Sequence, residues 1–128
     1  METKKSTAEE LAGLTGDQLL FRMDELRHAA ADAGYRWAEA DKKYKDLKEM
    51  MPSLLATIQL SFKTEKMNLA EAKTRALAST TYQERLKEMN LAEYEAELIR
   101  VEYRGFMESL KSIQAIAFVK NSELKLAR

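Results

Sequence analysis

Apolar residues recur along the first half of this chain at alternating steps of three and four. One set is Met23, Ala30, Trp37, Tyr44, Met51 and Ile58. The other is Leu26, Ala33, Ala40, Leu47 and Leu54, followed by the polar Ser61. Together they fill the a and d positions of a heptad repeat, the pattern of a helix that buries one seam against a partner helix. Thr15 and Gln18 precede the seam at capping-box spacing, so the helix is predicted to start near residue 16 and run to about 66. Pro52 lies inside this span. An interior proline loses one hydrogen bond and costs about 3 kcal/mol. The heptad phase nevertheless passes through it unshifted, with Pro52 on an outer b position. A kinked but continuous helix is therefore predicted, in preference to a second helix that begins at Pro52.

The periodicity then breaks. Asn68 and Glu71 form another cap signal, opening a short helix over 69–78 with Leu69, Ala72, Ala76 and Leu77 available to pack. Ser79, Thr80 and Thr81 follow, and Thr80 with Gln83 or Thr81 with Glu84 has the spacing of a third cap. A second seam comes next. Its sets are Tyr82, Met89, Ala96, Tyr103, Leu110 and Ala117, and Ala92, Ile99, Phe106 and Ile113. It predicts a helix over 82–120, with Asn121 ending it or the charged tail 121–128 fraying beyond. Residues 1–14 carry no seam and are predicted to be a flexible N-terminal segment.

Two seams of similar length joined by a short connector predict an all-α fold. Its form is a long antiparallel, coiled-coil-like hairpin over 15–120, with the connecting helix at the tip. Pairing the seams puts Trp37 near Tyr103, Phe106 and Leu110, and Ala30 and Ala33 opposite Ile113 and Ala117. The short helix would cover Leu55, Phe62 and Met67. The second long helix has more apolar residues than one seam can bury. Leu91, Tyr94, Leu98 and Val101 fall at c and f positions, and Gly105 continues the c row. An exposed row of that kind marks an interface. A homo-oligomer, most simply a dimer, is predicted through these five residues; the competing reading folds the connector or the N-terminal segment over them.

Composition sharpens the class. A third of residues are charged, there are four glycines and one proline, and no cysteine. This is the profile of long helices, without disulfides or thiolate chemistry. Lys plus Arg equals Asp plus Glu at 21 each. No apolar stretch nears the roughly 20 residues of a membrane span. The N-terminal METKKSTAEEL has no apolar core of a signal peptide. A cytoplasmic location away from membranes is expected.

Catalytic chemistry finds no footing. His28 is the only histidine and sits on an outer f position, with no second His or Cys to complete a metal site. No phosphate-binding glycine loop is present. Trp37, Tyr44, Tyr103 and Phe106 occupy seam positions and are expected to pack as core, while Tyr35 lies on the outer row. A non-enzyme with no cofactor is expected. One local charge excess remains: Lys63, Lys66, Lys73, Arg75, Arg85 and Lys87 against Glu65, Glu71 and Glu84. It supports an alternative function, sequence-independent nucleic-acid binding through a basic tip.

The stretch EAKTRALASTTYQERLKEMNLAEYEAELIRVEYR resembles small helical proteins of bacteriophages and prophages whose function is unassigned. The matching pieces are Arg75 to Ser79, Tyr82, and Arg100-Val101-Glu102-Tyr103, and the resemblance extends over about 35–120. Such proteins are encoded in early regions near replication and recombination functions. The resemblance implies an accessory role in phage DNA metabolism inside a bacterial host, and it assigns no catalytic or binding residue. The function expected is a non-catalytic, oligomeric scaffold or adaptor that binds a protein partner.

Overall fold

The computed structural model describes residues 10, 11, 13–63 and 67–126. Among them the chain is all-helical, with α1 at Gly16–Phe62, α2 at Leu69–Ala78 and α3 at Thr80–Leu126. Each start has a local cause. The Thr15 amide donates to Gln18 Oε1 at 2.9 Å, and the Gln18 amide donates to Thr15 Oγ1 at 3.3 Å, the reciprocal box expected of that pair. Asn68 Oδ1 accepts from the Glu71 amide at 2.9 Å and caps α2. Pro52 lies within α1, which continues unbroken through it.

The turn between α2 and α3 corrects one expectation. Neither Thr80 nor Thr81 is the cap. Ser79 alone separates the two helices and serves both. Its backbone amide and hydroxyl bond the Ala76 carbonyl, at 3.1 and 2.7 Å. Its Oγ also accepts from the Tyr82 amide at 3.2 Å. The extended backbone at Ser79, φ −65° and ψ 146°, lets one residue close one helix and open the next. The far end differs as well. α3 does not stop at Asn121 but continues to Leu126, because no Gly or Pro interrupts it and asparagine costs a helix interior only a few tenths of a kcal/mol to about 0.7.

The chain forms two compact units, Met1–Trp37 with Leu98–Arg128, and Ala38–Glu97. In the first, the start of α1 packs antiparallel on the end of α3. Lys120 Nζ donates to the Leu14 carbonyl, and Arg36 pairs with Glu102, so rising numbers on α1 meet falling numbers on α3. The core comprises Leu11, Leu19, Met23, Leu26, Ala30, Ala33, Phe106, Leu110 and Ile113. Ala30 and Ala33 share it with Ile113, as the seams predicted, and Ala117 packs against it. Leu11 is buried although it lies in the stretch read as loosely held; residues 1–9 and 12 lie outside the described residues. Trp37 stacks on Tyr103 with centroids 5.7 Å apart and planes at 27°. Gly34 accommodates that ring: a Cβ there would lie 3.1 Å from Tyr103 Cε2.

In the second unit Ala72 and Ala76 of α2 are fully buried, while Leu69 and Leu77 are exposed. The connector therefore docks through its two alanines, not its leucines, because small side chains let a short helix approach closely. Leu55, Phe62 and Met67, the residues it was expected to cover, are half-buried. Gln59 Nε2 donates to the Leu69 carbonyl at 3.1 Å and ties the end of α1 to the start of α2. Met51, Ala92 and Ala96 complete the buried apolar set of this unit.

Candidate interaction surfaces

The seam of α3 is buried or half-buried at every predicted position, so its opposite side can be read directly. Leu91, Tyr94, Leu98 and Val101 are 58%, 62%, 53% and 54% exposed. At 100° per residue the four fall within an arc of about 80° on α3, turned away from the seam. Gly105 differs, being half-buried. Leu91 and Tyr94 belong to the Ala38–Glu97 unit, Leu98 and Val101 to the other.

A second feature needs two helices at once and has no signature in either alone. Within the Ala38–Glu97 unit, α1 and α3 flank a groove of about 540 Å³. Its apolar floor is Leu47, Met50, Leu91 and Ala92. Met50 is 53% exposed although it lies beside the buried Met51. The rim is charged: Glu39, Lys42, Lys43 and Asp46 from α1, Glu88 and Glu95 from α3. Four carboxylates against two ammonium groups make the rim acidic. Glu88 also holds Arg85, Oε2 to Nη1 at 3.0 Å.

The basic residues that share a helix differ in their rotation around it. Lys63, Lys73, Arg75, Arg85 and Lys87 are all exposed, and Lys66 lies outside the described residues. Lys73 and Arg75 stand two residues apart on α2, about 200° around the helix. Ala72 and Ala76 turn that helix so that its two bases leave on opposite flanks. The same spacing separates Arg85 from Lys87 on α3.

Other polar groups serve local structure. His28 is exposed, its Nδ1 2.8 Å from the Asp24 carbonyl oxygen. Arg36 bridges Asp32 at 3.0 Å and Glu102 at 2.9 Å. Hydrogen bonds to Glu102 first and Asp32 second hold its pKa above the usual guanidinium value. The hydrogen bond to Asp41 raises that of Lys45 in the same way. Tyr35 is exposed, as its outer position predicted.

Several of the residues that carry the resemblance fall at structural joints. Arg75 to Ser79 ends α2, Tyr82 donates its amide to the Ser79 cap, and Tyr103 stacks on Trp37. No described helix is long and apolar enough to cross a membrane. Compared with known proteins, the chain significantly matches no family model, no curated protein and no solved structure.

Proposed function

We propose that this chain is a non-catalytic helical scaffold, an antiparallel hairpin that self-associates through the outer face of α3 and holds a protein partner. The observation that carries this reading is the exposed row Leu91, Tyr94, Leu98 and Val101. Apolar side chains gathered on one helix face lose contact with water when a like face meets them, each fully buried one being worth about 1.5–3 kcal/mol. The equal numbers of acidic and basic residues oppose association only weakly. On the phage-like motif, the partner is a protein of phage replication or recombination in the cytoplasm of a bacterial host. Tyr94→Glu combined with Leu98→Glu tests the interface, since both side chains are exposed and neither lines the groove. At low protein concentration, light scattering should give a dimer for the wild type and a monomer of unchanged helicity for the variant. A monomeric wild type, or a variant of unchanged mass, defeats the reading.

Nucleic-acid binding is the second reading, supported by the exposure of Lys63, Lys73, Arg75, Arg85 and Lys87. Their separation around α2 and α3 makes it the weaker of the two. Anisotropy of a labelled single strand, and of its duplex, discriminates. Binding that weakens steeply with salt and is lost in Lys73→Glu/Arg75→Glu favours it; absence of binding at low salt removes it.

A further inference from the structure

Phe118 is 73% exposed, more than any other described aromatic residue. It lies on the last part of α3, outside the row at Leu91 to Val101. Lys111 precedes it by seven residues and Lys125 follows it by seven, and both are exposed. Seven residues return to nearly the same side of a helix, so the three lie within about 40° of one line. Gln114 and Ser122, the polar residues nearest that line, are uncharged. Glu108 and Glu123 lie about 80° and 140° away from it. Among the described residues of α3, this face therefore presents an aromatic side chain between two cations, with no carboxylate on the same line.

The groove of the Ala38–Glu97 unit is its chemical complement: an apolar floor containing Met50, with Glu39, Asp46, Glu88 and Glu95 outnumbering Lys42 and Lys43 on the rim. The two spacings differ by an amount that side-chain reach can close. Glu39 to Asp46 and Glu88 to Glu95 are each seven residues, about 10 Å of helix. Lys111 and Lys125 each stand about 10 Å from Phe118 along α3. With Phe118 midway along the groove, each ammonium has about 5 Å to recover to reach a rim carboxylate. The flexible four-carbon stem of lysine covers that distance.

We infer that Phe118 of one copy seats in the acid-rimmed groove of a second copy, with Lys111 and Lys125 on its carboxylates. The two contacting surfaces are different, so the contact is heterologous. Copies joined in this way add head to tail, into a ring where the rotation closes and a filament where it does not. Of the outer row the contact shares only Leu91, on the groove floor, and uses neither Tyr94, Leu98 nor Val101; it goes beyond the scaffold reading by giving that scaffold a direction of growth.

Sedimentation at rising concentration tests it, with Phe118→Glu and Met50→Glu as single variants. Both positions are exposed, and circular dichroism establishes that each variant folds. The wild type should grow beyond a dimer, more weakly at high salt. Each variant alone should lose that growth, with self-affinity reduced roughly thirtyfold or more, the scale of an anchor residue. In the Tyr94→Glu/Leu98→Glu background, which lacks the outer-row contact, Phe118→Glu keeps an intact groove and Met50→Glu an intact aromatic face, so a tagged sample of one should capture the other while neither captures itself. Growth that persists in either variant, a folded mixture that fails to pair, or a wild type that never exceeds a dimer overturns the inference. Tyr94→Glu/Leu98→Glu should leave the capture intact, so failure of the outer-row interface is read separately.

Discussion

The two units are built from the same two long helices, yet they bury different kinds of residue. The unit containing the start of α1 and the end of α3 encloses Leu11, Leu19, Leu26 and Ile113 almost completely, with Phe106 and Leu110 beside them. The Ala38–Glu97 unit buries alanines, Ala72, Ala76, Ala92 and Ala96, together with Met51. Its larger seam residues Tyr44, Leu47, Leu54, Ile58 and Met89 are only half-buried. Burial of apolar area is the main stabilising contribution in a small protein, so the first unit should be the firmer one. The second uses small residues to bring a short helix close and leaves apolar surface in a groove. Stability is concentrated where large side chains interlock, and available binding surface where they do not.

The most direct way to break this comparison is to remove one large side chain from each unit. Leu26→Ala should cost about 3–5 kcal/mol, the upper part of the range for a fully buried leucine, in urea unfolding. Met51→Ala, at a site with smaller buried neighbours, should fall near the lower end, about 2 kcal/mol. Equal losses, or the reverse order, would show that the two cores are equivalent. Pro52→Ala acts in the opposite direction. It restores an amide donor for the Lys48 carbonyl within α1 and should raise stability by up to about 3 kcal/mol. A lower urea midpoint would mean that proline geometry is needed in the second unit.

A smaller effect is expected at the joint between α2 and α3. Ser79→Ala removes the hydroxyl that accepts from Tyr82 and should cost about 1 kcal/mol. Amide exchange should quicken first in 76–83 and leave 103–113 protected; uniform loss of protection would argue against a local cap. The smallest effect belongs to the exposed pair in the firmer unit. Glu102→Gln removes the ion pair with Arg36, whose two side chains are each 41% exposed, and should cost no more than about 1 kcal/mol. The Arg36 guanidinium remains charged throughout the accessible pH range with or without Glu102. The loss should shrink as salt is added.

Much of this organisation is legible in particular residues. Asn68, Thr15 and Gln18 cap as their spacing predicts, because a cap is a contact over three residues and needs nothing distant. The seams are equally legible, since a heptad repeat states which side of a helix is withdrawn from water. Leu19 stands one heptad before Leu26, so extending the first seam by one repeat would have included it in the core. The assignment of the third cap to Thr80 or Thr81 missed Ser79 for a physical reason: three neighbouring hydroxyls have the same local chemistry, and only the path of α2 decides which one meets both helix ends. The candidate interface was half legible. The exposed row on α3 follows from periodicity, whereas the groove beside it does not, because its floor combines Leu47 and Met50 of α1 with Leu91 and Ala92 of α3.

The residues alone, then, show that the described chain is helical, where its first two helices begin, and which stripe of each long helix is withdrawn from water. These are local quantities, set by hydrogen bonds over a few residues and by the period of apolar side chains. Tertiary structure alone decided that α2 docks through alanines, that Tyr103 stacks on Trp37 beside Gly34, and that charged residues scattered along two helices rim one groove. Those outcomes depend on the separation and rotation of helices that pack side by side, and no interval along a single strand of sequence encodes either one.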